Sequence, residues 1–306
     1  MVEQKLSAGF ESSVKKMAFP APSADAALGQ PQDTIKINPL DVPRFYMDTV
    51  DFDKSPVKVR YTDGSEQCFE KVFQVDDQKS GFFGIVYKNP ADGHAVILFK
   101  GMDLPFIDVR MGTDSNAWKD LSSSVAGNWF GTLSEQIKPA QDTFFQVARE
   151  EYGISSREVV GYSLGGQLAK DLAIRHGAQG QVFGDVPLPD VGYDPKAVGR
   201  VHQNIIAIKL TDEDIPFEST LGTINSNRTL VLDENETWWE EIIDSIPLLD
   251  HMPQSFVRES KNFEEIPENA EKLKAVLDPS RDFSPAPKPE EPDYRFKWAD
   301  PQTLSP

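Results

Sequence analysis

The chain has 306 residues, 39% of them hydrophobic and 26% charged, and a formal net charge of −18. That length and apolar share allow one large α/β domain with tails, or two small domains. So acidic a surface repels phosphate backbones and is not drawn to anionic headgroups, which argues against nucleic acid and leaves only transient, apolar or local contact with a membrane surface.

Cys68 is the single cysteine. It excludes an intramolecular disulfide, fits a reducing compartment, and reads as a small core residue. The opening MVEQKLSAGFESSVKKMAF holds no apolar run of signal-peptide length, and no stretch is long enough to span a bilayer. The expectation is a chain that is cytoplasmic as synthesised, with signal-independent secretion left open.

Residues 1–35 carry Pro20, Pro22, Gly29 and Pro31 and build little core, so they read as an N-terminal arm with at most a short helix near Phe10 to Met17. Val57 to Tyr61 alternates like a half-buried strand, and Thr62-Asp63-Gly64 turns it. Strands are expected again over Cys68 to Val75, Phe82 to Lys88 and Ala95 to Phe99. The last is apolar throughout, as in a strand covered on both faces, and Asn89 to Gly93 supplies the turn before it.

A helix is expected over 133–151, closed by Gly153, then a strand at Arg157 to Val160 and a helix from Leu164 to His176 closed by Gly177. Strands follow at Val182-Phe183 and Ile205 to Leu210, and helices at Asn235 to Pro247 and Asn269 to Leu277. Seven prolines from Pro279 on forbid packing of the last segment. The division is therefore a 1–35 arm, a 36–278 body and a 279–306 extended or disordered tail. Strands alternating with helices over 95–210 imply a mostly parallel central sheet with helices on both faces, preceded by antiparallel hairpins.

The chemistry concentrates in Gly161-Tyr162-Ser163-Leu164-Gly165, followed by Gly166. A serine in Gly-x-Ser-x-Gly sits on a sharp strand-to-helix turn with strained backbone angles. Positions two before and two after lie against the neighbouring strand and helix, where a Cβ would collide. The helix that follows aims its N-terminus at developing negative charge.

With Leu164-Gly165-Gly166-Gln167-Leu168-Ala169 after it, the segment resembles the nucleophile elbow of class 3, or fungal-type, lipases, with Tyr162 where that family usually has His. Ile97 to Asp103 is similar to the family's strand ending in Phe-Arg-Gly-Thr, and Trp118 to Leu121 to its Asp-Trp stretch. The resemblance covers roughly 95–257. It implies an α/β-hydrolase fold and a serine hydrolase cleaving a carboxylic ester. It also implies that the residue after Gly101 supplies an oxyanion donor; here that is the backbone N–H of Met102.

Chain order in this fold is Ser, acid, His. His94 precedes the serine. His176 closes the helix that begins at the serine and lies about 18 Å away at 1.5 Å per residue; it reads as a C-terminal cap. His202 precedes the 205–210 strand, at the wrong end. His251 remains, in a loop where the family places its histidine. For the acid, Asp214 is followed by Ile-Pro as in the family's pattern, while Asp212 is closer to the strand end; both stay open, with Asp214 preferred.

The implied mechanism has His251 take the Ser163 proton, the acid fix the imidazole, and the Leu164 and Met102 N–H groups hold the oxyanion. The substrate is expected to be a lipid or small-molecule ester. Residues 235–249 either line an acyl pocket, form a lid or pack on the sheet as an ordinary helix, and Phe106, Trp129 and Phe130 are similar candidates on the other rim. No cofactor and no metal-ligand cluster is read. Two other readings stay open: a non-catalytic binding protein on the same fold, and an acyltransferase or thioesterase using the same three residues.

Overall fold

The computed structural model describes residues 31–101, 133, 135–184, 186–189, 193–211, 224–232 and 253–283. Their strands are β1 (Gln32–Asp33), β2 (Val57–Arg60), β3 (Glu66–Asp77), β4 (Phe82–Lys88), β5 (His94–Phe99), β6 (Ser156–Tyr162), β7 (Gly180–Phe183), β8 (Ile205–Leu210) and β9 (Thr229–Leu232). They form one sheet in the order β2-β3-β4-β5-β6-β7-β8-β9, with β1 on β6. β2 to β5 pair antiparallel and β5 to β9 parallel. The five strands β5 to β9 therefore end at the same edge. The helices are α1 (Val42–Tyr46), α2 (135–146), α3 (Leu164–His176), α4 (Pro195–Asn204), α5 (Pro253–Glu265) and α6 (Asn269–Leu277).

β5 is buried at all six positions, as its unbroken apolar run requires. Its alternate side chains feed two cores. Ile97 and Phe99 join Val159, Ile137 and Phe144 of α2, and Leu168 and Leu172 of α3 on one face. Val96 and Leu98 join Val160, Phe45 and Tyr46 of α1, and Phe256 and Phe263 of α5 on the other. α3 lays its Leu and Ala residues on the sheet and stops at Gly177, whose φ of 74° lets its N–H reach back to the carbonyls of Ala173 and Leu172.

The arm and tail boundaries move outward. β1 pairs Gln32 with Ser156 and Asp33 with Arg157, so residues 31–35 belong to the body. A buried carboxylate holds this segment. Glu158 accepts the N–H groups of Lys36 (2.6 Å) and Ile37 (3.1 Å), and the Gln181 side-chain amide (3.1 Å). At the other end Phe283 is buried; its carbonyl accepts from the Asn227 side chain (3.1 Å), and the Arg228 guanidinium lies over its ring.

Other expectations are corrected. Cys68 is half-buried on β3, and its neighbour Phe69 takes the core position. The 133–151 helix is cut short: α2 ends at 146, and a 3-10 turn at Glu150–Tyr152 leads to Gly153 with φ 56°. α1, α4, α5 and β9 were not anticipated from the sequence.

Candidate active site

β6 runs into α3 with no intervening loop, and Ser163 is the hinge between them. Its φ is 54° and its ψ −120°. A residue with a Cβ is held there at a cost of about 1–3 kcal/mol, so surrounding contacts must enforce the angle. They do: the Ser163 N–H donates to the Phe183 carbonyl at the end of β7 (3.2 Å), and the Ser163 carbonyl accepts from Gly166 (2.9 Å). Tyr162, just before, stacks on Phe183 with centroids 5.0 Å apart.

The two flanking glycines are required by close approach. A Cβ at Gly161 would fall on the Gly165 carbonyl, and one at Gly165 on the Phe99 carbonyl. The start of α3 is thereby pressed onto the ends of β5 and β6. Leu164 opens the helix at this edge, so its N–H is among those the helix leaves without an internal partner. Gly101, at the end of β5, lies against the same turn: a Cβ there would stand 3.1 Å from the Ser163 Cβ and 3.0 Å from the Tyr162 carbonyl.

Met102, Asp212, Asp214 and His251 lie outside the described residues, as do 235–249, Phe106, Trp129 and Phe130. Their described neighbours stand at the carboxyl edge of the sheet. Met102 follows Gly101. Asp212 follows Thr211, whose N–H and hydroxyl both reach the Leu232 carbonyl at 3.1 Å and tie the end of β8 to β9. His251 precedes Pro253, the buried first residue of α5, by two residues, at most about 7.6 Å of chain between Cα atoms. The first turn of α5 is docked here through Phe256, whose ring meets Phe183 at 5.4 Å.

The other histidines are far from this edge or occupied. His94 is buried at the opposite end of β5, with Nδ1 2.9 Å from the Ser156 hydroxyl and Nε2 3.3 Å from Glu158. His202 lies on α4 and its Nδ1 accepts from the Asn227 N–H (3.3 Å). His176 is the last residue of α3. It packs against Phe144 and Phe145, burial holds its pKa below the usual 6.5, and Nε2 has no partner among the described residues. Gly177 closes that helix.

Sequence reasoning missed Tyr46, Phe183 and Phe256. Tyr46 is buried beneath the elbow, its ring 5.5 Å from Tyr162 and 5.2 Å from Phe183, and its hydroxyl accepts the Gly101 N–H at 3.3 Å. Nothing local marks it, because Tyr46 meets Gly101 across 55 residues. Among the described residues no cluster of three or more His, Cys, Asp or Glu is placed to hold a metal, and no helix is long and apolar enough to cross a membrane.

A mostly parallel sheet covered by helices on both faces, with a serine on a strained turn between a central strand and its following helix, is an α/β-hydrolase fold. No protein-family model and no curated protein matches the chain. Solved structures similar to it include fungal-type lipases. Lip2 lipase from Yarrowia lipolytica is 13% identical over 54% of this chain and 66% of its own, with a TM-score of 0.37. The Rhizomucor miehei lipase in its propeptide complex is 17% identical over 68% and 75%, with a TM-score of 0.33. A further fungal lipase is 16% identical over 65% and 79%, with a TM-score of 0.39. The chain thus spans about two thirds of the length of the Yarrowia lipase.

Proposed function

We propose that the chain is a carboxylic ester hydrolase that works through an acyl-enzyme on Ser163. One observation carries the reading: Ser163 holds φ 54° and ψ −120° between two glycines whose Cβ atoms would strike backbone. A strained backbone persists only where the surroundings enforce it, and here it lifts a hydroxyl out of the line of the strand at the N-terminus of a helix.

In the proposed reaction His251 takes the Ser163 proton as the oxygen attacks the ester carbonyl. Asp214, or Asp212, holds the imidazole and stabilises its charged form. The Leu164 and Met102 N–H groups receive the oxyanion, a contribution worth about 10² to 10³ in turnover per donor. The C–O bond then breaks and the leaving alcohol takes the proton from His251. Water repeats the sequence on the acyl-enzyme and releases the acid. The substrate class is a lipid or small-molecule ester.

The test is covalent labelling with a fluorophosphonate. The folded wild type should label at one site, Ser163→Ala should not label, and a panel of short esters, long-chain esters and phospholipids should then rank the substrates. A folded wild type that neither labels nor hydrolyses any of them rejects the proposal.

A further inference from the structure

Catalysis of this kind depends on the spacing between two elements: the turn that carries the nucleophile and the strand end that carries the oxyanion donor. Donors act when held about 3 Å from where the oxyanion forms, and errors of about half an ångström matter. The turn is fixed by its own contacts. The strand end after Phe99 is held differently. Lys100 still pairs with β4, its N–H on the Phe83 carbonyl at 3.1 Å, but Gly101 is past the ladder. Its N–H goes to a side chain, the Tyr46 hydroxyl. Glycine has no side chain to hold it in place, so this bond and the contact with Ser163 and Tyr162 define where the peptide toward Met102 begins.

Tyr46 touches both halves of the site. Its ring lies on Tyr162, the residue before the nucleophile, and on Phe183, whose carbonyl accepts the nucleophile's own N–H. Its hydroxyl holds Gly101, the residue before the donor. The side chain is 1% exposed and sits at the end of α1, in a segment separated from β6 by more than a hundred residues. Its neighbour Phe45 points elsewhere, packing on Phe69 and Tyr87. The backbone changes from α-helix to π-helix directly after Tyr46, over Met47–Asp51. A π-turn is rare and recurs beside functional sites, since it displaces the residues that follow from a regular helical course.

We infer that Tyr46 is a positioning residue for the proposed active site: it fixes Gly101, the residue before the proposed donor Met102, against the Ser163 turn by gripping Gly101 with its hydroxyl and the elbow with its ring. The inference rests on the reading of Ser163 as nucleophile.

The experiment compares Tyr46→Phe, which keeps the ring and removes the grip, with Tyr87→Phe. Tyr87 is equally buried, and its hydroxyl donates to the Lys54 carbonyl at 2.7 Å, away from the elbow. Each is measured for kcat and KM on p-nitrophenyl butyrate, for inhibition by phenylboronic acid, whose serine adduct carries a tetrahedral oxyanion, and for thermal midpoint. Tyr46→Phe should lower kcat about tenfold, less than the loss of a whole donor, with KM within twofold and the boronate inhibition constant raised by the same factor as kcat falls. Tyr87→Phe should match it in thermal midpoint and keep wild-type kcat. A Tyr46→Phe enzyme with kcat and boronate affinity within twofold of wild type overturns the inference while leaving the Ser163 reading intact. A wild type that neither labels nor turns over overturns both.

Discussion

The ring of Phe256 stands against the ring of Phe183 at 69°, centroids 5.4 Å apart, and the Phe183 carbonyl in turn accepts the Ser163 N–H. This contact docks the first turn of α5 at the sheet edge where the serine emerges. Residue 251, the proposed base, is two positions ahead of that helix in the sequence. Both rings are fully buried, so the contact belongs to the core as much as to the site.

Phe256→Ala should therefore affect two properties. Removing a buried phenyl ring costs about 3–5 kcal/mol, read as a lower urea midpoint with an unchanged slope. Under conditions where the variant is still folded, fluorophosphonate labelling of Ser163 should be several-fold slower. Labelling at the wild-type rate in the destabilised, folded variant would mean that α5 does not position the proposed base.

Strain at Ser163 predicts an inversion of the usual ranking of alanine and glycine. Relief of about 1–3 kcal/mol of backbone strain exceeds the 0.5–1 kcal/mol that glycine's extra freedom in the unfolded chain removes. Ser163→Gly should unfold above Ser163→Ala, by about 1 kcal/mol in denaturant titration. Equal or reversed midpoints would show that the turn is relaxed.

Two further glycines make a matched pair. Gly165→Ala puts a methyl group onto the Phe99 carbonyl and should destabilise by about 3 kcal/mol or more, since neither backbone can withdraw. Gly199, inside α4, has nothing within 4 Å of an added Cβ. Gly199→Ala should stabilise by about 0.5–1 kcal/mol through helix propensity alone. Calorimetry on the two variants decides; a Gly165→Ala chain as stable as the wild type would contradict the close approach of α3 to β5.

Burial lowers the pKa of His176 below 6.5, so the unfolded chain binds its proton more readily than the folded one. Stability contributed by the neutral ring is present above the unfolded value and is lost as pH falls from about 6.5. His202 is shifted the same way by burial. Unfolding free energy should fall between pH 7 and pH 5, and His176→Phe, which keeps the aromatic contacts with Phe144 and Phe145, should flatten that slope without abolishing it. An identical slope in the variant would show that the His176 pKa is the same in the folded and unfolded chains.

What the sequence determined by itself is local. The elbow is readable because steric demands act within five residues: Gly161 and Gly165 report a close approach, and Ser163 reports the strained angle between them. α3 and α6 are readable from helical spacing and end signals, and β5 from an unbroken apolar run. α5 escaped because its buried face is half polar: Glu259 and Ser260 lie inward with Phe256 and Phe263, so the apolar period is broken. α4 escaped for want of apolar residues, with Val201 its one buried apolar side chain.

The tertiary structure alone decided which distant residues meet the turn. Tyr46, Gly101 and Phe183 come together only because the parallel strands end at one edge and the segment after β1 is pinned to Glu158 across more than a hundred residues. Local sterics are written in neighbouring side chains. Long-range pairing depends on the register of the whole sheet, and no short window of sequence contains it.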